Sequence, residues 1–229
     1  MKILFVGAMD CEIDYIKSQM SNVETKVCDP FVFYLGNLNN KNIILVKSGI
    51  GKVMSGLLIG IAKANFAFDV VINIGIAGGV SPLRSGDIVI GKNYAYGDVD
   101  LTPGGFGYEF GQMAQCPRYF KSDLDIKSLI NNSECIIGDM CTCDSFTTSI
   151  DFVNKVNEEY YPDLNFVCFD MESAAFAQSC YFLQIPFIAI RSISDIIGND
   201  NQKEEYKSNE INSSIKVNKF ILKLLNNIK

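Results

Sequence analysis

The sequence predicts an α/β fold: a single three-layer domain with a central mixed, largely parallel, twisted sheet flanked by helices. Two observations lead to this prediction. Apolar, strand-like segments alternate with helix-like segments along the chain, and a sheet built in this way is covered on both faces by its connecting helices. No linker, low-complexity tract or internal repeat separates the segments. A chain of 229 residues is short enough for one domain, so we expect residues 1–229 to form it.

Five strands are predicted in the first half of the chain, because five apolar runs lie next to turn-forming residues. In order, they are KILFVG, FVFYLGNL, NIILVKSGIG, DVVINIGIAGG and GDIVIGKNYAYGDVD. Helices are expected from Glu12 to Met20 and from Val53 to Ala64, each between two of these strands. A loop rich in Gly, Pro and aromatic residues, LTPGGFGYEFGQ, then interrupts the alternation.

The second half of the chain repeats the alternation. Three further strands are predicted at CIIGDMCTCDSF, LNFVCFDM and PFIAIRSISD. The small, apolar segment ESAAFAQSCYFL predicts a helix between the last two of them. A closing amphipathic helix is expected at NEINSSIKVNKFILKLLNNI, because its Ile, Val, Phe and Leu residues fall on one stripe.

The composition excludes several classes of partner. The net charge is −6 and the pI is about 4.8, and the lysines form no basic stripe, so we expect no nucleic-acid partner. No apolar run reaches the ~18 residues of a membrane span. Asp10 and Glu12 interrupt the start of the chain, where a signal peptide would be apolar. We therefore expect no membrane association and a cytoplasmic location.

The cysteines do not predict a metal site. The chain has eight cysteines and no histidine, and its single tight pair, Cys141 and Cys143, has no second pair to complete a zinc site. Several cysteines lie inside apolar strands or helices, which favours reduced, buried thiols over disulfides. We expect neither a metal nor another cofactor.

Acidic residues and glycines follow the predicted strands, at the edge of the sheet where α/β proteins bind ligands. They are found at Glu12, Ser48–Gly51, Gly75–Gly79, Asp170–Glu172 and Ser192–Asp195. Each glycine loop by itself is best interpreted as a tight turn. GIGK lacks the first glycine and the hydroxyl of a P-loop, and GIAGGV lacks two glycines of a dinucleotide fingerprint. Their recurrence at one edge is what predicts a small-molecule site.

The acids have structural and functional interpretations. Asp10 is expected to complement the dipole of the first helix and no more. Glu172 and Asp195 follow apolar strands, where an unpaired carboxylate would be costly, so a role in a site is favoured. Arg191 lies on the last strand and is either a structural counter-ion or a residue of the site.

Seven segments of the chain, taken together, resemble the nucleoside phosphorylase and nucleosidase superfamily. They are GAMDCE, KSGIGKV, NIGIAGG, SGDIVI, FGYEFGQ, FDMES and AIRSISD. They are most similar to the bacterial 5′-methylthioadenosine/S-adenosylhomocysteine nucleosidases, and the resemblance spans nearly the whole chain. It implies a phosphorylase/hydrolase-like fold and a homodimer. It also implies hydrolysis of the N-glycosidic bond of both nucleosides, which releases adenine and the 5′-thio-ribose.

The resemblance implies a role for each acid. Glu12 would orient and deprotonate the attacking water beside Arg191, and Asp195 would protonate N7 of the purine. Glu172 would hold the ribose hydroxyls, with Met171 packed on the sugar. These roles suit the chemistry, because an anionic site stabilises an oxocarbenium-like sugar and an acid lets the purine leave as a neutral molecule. Asp195 must then be protonated near neutral pH, which requires a raised pKa.

The resemblance assigns six further residues to substrate binding. They are Ile50, Ile76, Phe106, Tyr108, Phe146 and Thr147. Phe146 would stack on adenine, while the backbone of Thr147 would bind the purine edge. Phe106 and Tyr108 would reach across a dimer and line the 5′-substituent pocket of the neighbouring subunit.

Four departures from the family pattern leave the exact nucleoside open. Ile76 replaces a usual Ser, Thr147 replaces a hydrophobic residue, Gly97 replaces a usual His, and TPGG lengthens the partner loop. We expect Ile76 to weaken the hydrogen bonding of Asp195, because the hydroxyl of a serine could donate to that carboxylate.

Three other functions remain as alternatives. The first is a phosphate-dependent purine nucleoside phosphorylase, which by resemblance would carry Arg where this chain has Glu12 and Asn73. The second is a nucleosidase for another purine nucleoside, such as futalosine, which the residues at positions 76 and 147 would favour. The third is a non-catalytic nucleoside-binding protein, which the presence of all three candidate acids disfavours.

Overall fold

A computed structural model describes residues 1–123 and 135–225. Its strands are β1 (Lys2–Gly7), β2 (Ser21–Cys28), β3 (Phe31–Leu38), β4 (Lys41–Lys47), β5 (Val70–Gly79), β6 (Ile88–Tyr96), β7 (Tyr119–Lys121), β8 (Ile136–Thr142), β9 (Phe166–Asp170) and β10 (Phe187–Ile196). Its helices are α1 (Asp10–Gln19), α2 (Lys52–Asn65), α3 (Ile150–Lys155), α4 (Ser173–Leu183) and α5 (Gln202–Leu225). A 3₁₀ turn spans Thr102–Gly104, and a π-helical turn at Val156–Tyr160 continues α3.

The strands form a mixed sheet, as the sequence predicted. β1 lies between β4 and β5 and is parallel to both, while β3 and β2 extend this side of the sheet by antiparallel pairing. On the other side, β5 pairs with β10, β10 with β6, β6 with β8, β8 with β9, and β9 returns to β5. These five strands therefore close into a ring, which the strand patterns alone did not predict.

β5 changes neighbours along its length. Its first half pairs with β1 as far as the register Val6–Asn73, and its last two residues, Gly78 and Gly79, pair with Phe169 and Cys168 of β9. The β9 pairing is antiparallel, so the ends of β5 and β9 meet. The residues that follow β9 are thereby brought to the carboxyl end of β5.

The core lies on both faces of the sheet, which confirms the three-layer prediction. In β1, Ile3 and Phe5 pack with α1 and α5, whereas Leu4 and Val6 pack in a second cluster with α2 and α4. Because successive side chains of a strand point to opposite faces, an uninterrupted apolar strand is the pattern of a strand covered twice.

Two features that the sequence did not predict, strand β2 and the first turns of α5, have polar sequences. β2, with the sequence SNVETKVC, is exposed along most of its length and is held by pairing with β3. The closing helix begins at Gln202, well before the predicted Asn209, because its first turns are polar and carry no apolar stripe. Within the described ranges, no helix is both long enough and apolar enough to cross a membrane.

Candidate active site

One pocket opens where β1, β5, β9 and β10 end. Seven residues that the sequence assigned to the site line it: Glu12, Ile50, Ile76, Phe146, Met171, Glu172 and Asp195. Thr147 lines an adjoining cleft that shares Phe146, Met171 and Asp195 with the pocket. The fold therefore brings together residues that lie far apart in the sequence.

Glu12 is buried at the start of α1, and three backbone N–H groups hold its carboxylate. Ala8 and Met9 donate to Oε2 at 2.6 and 3.0 Å, and Ile76 donates to Oε1 at 3.0 Å. Burial raises the pKa of Glu12, while Arg191 and these N–H groups act in the opposite direction. The side chain is thus fixed in position, and its raised pKa favours the acceptance of a proton.

Gly75 is required by the position of Glu12. A Cβ atom on residue 75 would lie 2.5 Å from Oε1 of Glu12, a distance that no side chain tolerates without displacing the carboxylate. Gly75, the first glycine of the NIGIAGG segment, is therefore explained by the close approach of the Glu12 carboxylate to the backbone, and not by a phosphate-binding loop.

Asp195 is buried at the end of β10 and has a hydrogen-bond donor on each oxygen. The hydroxyl of Ser194 donates to Oδ1 at 2.5 Å, and Nε2 of Gln202 donates to Oδ2 at 2.8 Å. Ser194 and Gln202 therefore supply donors to Asp195 although Ile76 has no hydroxyl to offer. The expectation that a serine at position 76 would strengthen this hydrogen bonding stays a prediction. Burial raises the pKa of Asp195, although both hydrogen bonds oppose the shift.

Arg191 is fully buried behind the pocket and does not line it. Its Nη2 lies 2.8 Å from Oδ2 of Asp170 and 2.5 Å from Oδ1 of Asn73, and its Nη1 donates to the carbonyl of Ile190 at 3.2 Å. The ion pair is thus made with Asp170, which the sequence had not assigned a role. Arg191 acts on Glu12 and Glu172 through its charge, since it lowers the pKa of both.

Glu172 caps α4 at the sugar side of the predicted site. Its Oε1 accepts a hydrogen bond of 3.0 Å from the N–H of Gly51, which ties α4 to the β4–α2 loop. Burial and the negative charges of Asp170 and Glu12 raise the pKa of Glu172 to about 8, against the opposing charge of Arg191. Glu172 therefore keeps a proton to a higher pH than a free glutamic acid does, and in the protonated form it can donate a hydrogen bond as well as accept one.

Aromatic side chains form the open side of the pocket. Phe146 is half-exposed, and its ring meets the ring of Tyr206 edge-on at 5.4 Å. The Tyr206 hydroxyl donates to Glu210 at 3.0 Å. Tyr206 lines the pocket but was missed in the sequence, because it lies in the polar first turns of α5. A lone aromatic residue after the FIAIRSISD segment was the available signal.

Phe106 and Tyr108 are not brought to the pocket of their own chain. Both lie in the loop after the turn at Thr102–Gly104, and Phe106 is highly exposed. Their predicted place in a neighbouring subunit's pocket stays a prediction.

Gly97, which stands where the family usually carries His, is explained by a lack of space for a side chain. A Cβ atom on Gly97 would lie 2.5 Å from Sγ of Cys141 and 2.8 Å from Sγ of Cys143. Both thiols are fully buried behind the pocket loop. A larger residue such as the family's usual His therefore cannot occupy position 97 while both cysteines keep their places.

Comparisons with known proteins show the family to which this chain belongs. The profile of the phosphorylase superfamily matches residues 2–226. The 5′-methylthioadenosine/S-adenosylhomocysteine nucleosidase of Psychromonas ingrahamii is 40% identical over 210 residues, or 88% of this chain and 89% of the relative. The same enzyme of Pseudoalteromonas translucida is 37% identical over 235 residues, or 98% of both chains.

Solved structures of nucleosidases also resemble this chain. The crystal structure of the Streptococcus pneumoniae MTA/SAH nucleosidase in complex with 8-aminoadenine has a TM-score of 0.92 with this chain, at 32% identity and with 100% of both chains covered. Fold, pocket and profile thus define a member of the phosphorylase superfamily. Within the superfamily, the chain belongs to the 5′-methylthioadenosine/S-adenosylhomocysteine nucleosidases, which confirms the resemblance seen in the sequence.

Proposed function

We propose that this protein hydrolyses the N-glycosidic bond of 5′-methylthioadenosine and S-adenosylhomocysteine, releasing adenine and the 5′-thio-ribose. The observation that supports the proposal most strongly is that two buried carboxyl groups, those of Glu12 and Asp195, line one pocket. Glu12 is fixed by backbone donors, and Asp195 is an acid with a raised pKa. The names of the relatives point to the same two nucleosides.

In this proposal, Glu12 and Asp195 divide the proton transfers. Glu12 takes a proton from a water molecule that attacks the anomeric carbon. Asp195 gives its proton to N7 of the purine, so that the base leaves as a neutral molecule. The raised pKa of each group suits its role, because the base then has a greater affinity for the proton and the acid keeps its own proton to a higher pH than a free aspartic acid does.

Glu172 and Met171 hold the sugar, while Phe146 stacks on the purine and the Thr147 backbone contacts the purine edge. The positive charge that develops on the sugar is stabilised by the carboxylates of the pocket that are ionised. Arg191 contributes as the counter-ion of Asp170 and limits the repulsion among the buried acids. Arg191 is buried and is not among the residues that line the pocket, which argues against direct contact with the water.

Phosphate is disfavoured as the nucleophile. The pocket lining contains four acidic residues and no lysine or arginine among the residues that the structure describes: Glu12, Asp170, Glu172 and Asp195. Asn73, at the second position where a phosphorylase would carry Arg, is bonded to Arg191 and to the carbonyl of Val6. Any ionised carboxylate of this lining would repel a phosphate dianion, and no lysine or arginine among the described lining residues would offset the repulsion.

The purified protein should be incubated with methylthioadenosine, S-adenosylhomocysteine, adenosine, inosine and futalosine, with and without phosphate, and both products identified. We expect adenine and free methylthioribose in phosphate-free buffer. Formation of a sugar 1-phosphate would establish a phosphorylase instead. Preferential cleavage of inosine or futalosine would assign the enzyme to another purine nucleoside, and Ile76 in the pocket wall makes that comparison worthwhile.

The proposal includes a homodimer. Phe106, Val53 and Ile50 are 74%, 79% and 54% exposed, and apolar side chains exposed to this degree are typical of surfaces that a partner subunit covers. Sedimentation at micromolar concentration should give a dimer, and a fully active monomer would contradict it.

A cytoplasmic location is also proposed, and the buried thiols of Cys141, Cys143 and Cys168, which carry no disulfide, are in keeping with a reducing compartment.

A further inference from the structure

Lys52 lies outside the pocket, yet its side chain is held by acidic and aromatic neighbours. It is the first residue of α2, and its Nζ forms ion pairs with Asp98 and, at 3.6 Å, with Asp144. The ammonium also lies 5.0 Å from the centre of the Tyr96 ring. Only 17% of the side chain is exposed, so these contacts are less screened by water than an ordinary surface pair.

The backbone closes a second set of contacts among the same residues. The N–H of Lys52 donates to Oδ1 of Asp144 at 3.2 Å, and the N–H of Asp144 donates to Oδ2 of Asp98 at 2.7 Å. Lys52, Asp98 and Asp144 therefore form a closed cluster, which we call the loop clamp. It joins the loop before α2, the loop after β6 and the loop after β8.

Two of these three loops carry residues that line the pocket. Gly51, next to Lys52, donates to Glu172 at the sugar side, and Ile50 lines the pocket. Phe146 stands two residues after Asp144 and lines the purine side. Gly51 has a φ of 97°, a conformation that glycine adopts without strain, so the position of this loop depends on its contacts.

We infer that Lys52 is a positioning residue, which fixes the distance between the sugar-binding and purine-binding walls through the loop clamp. The inference rests on the proposed function, because it assumes that an adenine nucleoside spans the two walls. Misplacing a substrate wall by about 1 Å can cost on the order of 100-fold in rate, so a clamp outside the pocket can have a measurable effect.

The test compares Lys52→Met with a matched control, Lys47→Met. Lys47 also pairs with an aspartate, Asp10, at 2.8 Å, but both side chains are largely exposed, at 45% and 70%, and neither belongs to the clamp. We expect Lys52→Met to raise KM for methylthioadenosine and Kd for adenine by on the order of 10-fold or more. Lys47→Met should leave both unchanged, and Lys52→Arg, which keeps the charge, should restore most of the affinity.

A double-mutant cycle separates positioning from general loss of structure. If Lys52 acts through the loop that carries Phe146, then Phe146→Ala should weaken adenine binding much less in the Lys52→Met background than in the wild type. Additive losses would overturn the inference, as would equal behaviour of Lys52→Met and Lys47→Met. A wild type that binds adenine but hydrolyses no nucleoside would overturn the proposed function. The adenine Kd values of the Lys52 and Phe146 variants would still decide whether the loop clamp positions the pocket walls. A wild type that neither binds adenine nor releases it would overturn both.

Discussion

The two sides of the pocket differ in how they are held. The inner wall, formed by Glu12, Glu172 and Asp195, is buried, and its carboxyl groups accept hydrogen bonds from the backbone or from Ser194 and Gln202. The rim, formed by Ile50, Phe146 and Tyr206, is partly exposed and is positioned by loops and by the start of α5. From this difference we expect the inner wall to carry the chemistry and the rim to set the affinity for a given nucleoside. Substitutions in the inner wall should therefore lower turnover, and substitutions in the rim should raise KM.

The largest effect is expected from Asp195→Asn, because the amide keeps the size of the side chain but cannot give a proton to N7. Turnover should fall by ~10⁴-fold, the upper end of the usual contribution of general acid catalysis. Steady-state kinetics with methylthioadenosine would measure the loss. Asp200→Asn, an exposed acid in the turn after β10, is the matched control and should behave as the wild type. Substantial turnover by Asp195→Asn would remove Asp195 from the acid role.

Glu12→Gln should lower turnover by ~10²–10⁴-fold, with a smaller loss of substrate affinity, because the amide cannot accept the proton of the water. Single-turnover measurements at saturating substrate separate this effect from binding. Asp10→Asn tests an exposed acid of the same helix, which forms an ion pair with Lys47 on the surface. If the two variants are equally active, Glu12 is not the base.

Phe146→Ala tests the rim and should act on KM more than on turnover. Stacking of a base on an aromatic ring is worth ~1–3 kcal/mol, so KM should rise on the order of 10- to 100-fold. Phe146→Tyr keeps the ring and should retain near-normal KM. An unchanged KM in Phe146→Ala would mean that the purine does not lie on this side of the pocket.

The smallest effect is a change in the pH dependence of stability in Glu172→Gln. The pKa of Glu172 is raised from 4.5 to about 8 in the folded protein, so the native state holds this proton more strongly than the unfolded state. Its contribution to stability is complete below about pH 4.5 and is lost as the pH rises through 8. The neutral Gln avoids this loss. Urea unfolding should therefore show Glu172→Gln gaining stability relative to the wild type between about pH 5 and about pH 9. A constant difference across this range would contradict the raised pKa.

Much of the inner wall could be predicted from the sequence, because a carboxylate directly after an apolar strand has few structural explanations. Glu172 and Asp195 stood out for this reason, and the structure places both in the pocket. The partners of these acids could not be predicted in the same way. Gln202 and Tyr206 lie in polar helical turns, and their value depends on where α5 crosses the sheet, which is a property of the tertiary fold.

The same distinction holds for the fold. The strands that are buried on both faces could be predicted because they appear in the sequence as apolar runs. The predicted mixed sheet with helices on both faces was confirmed. β2 depends on pairing with β3 rather than on burial, so its polar sequence gave no signal. Ring closure depends on β9 pairing with β5 in the antiparallel sense, and no local pattern encodes which strands become neighbours.

The change of neighbours along β5 explains why the chain can carry an isoleucine at position 76. Pairing with β1 ends at Asn73 and pairing with β9 starts at Gly78, so on that side the N–H of Ile76 is left to bind the carboxylate of Glu12. A backbone donor is independent of the side chain, and among the natural residues proline alone would remove it. The side chain at position 76, and with it the shape of the pocket surface, can therefore vary while the carboxylate of Glu12 keeps this backbone donor.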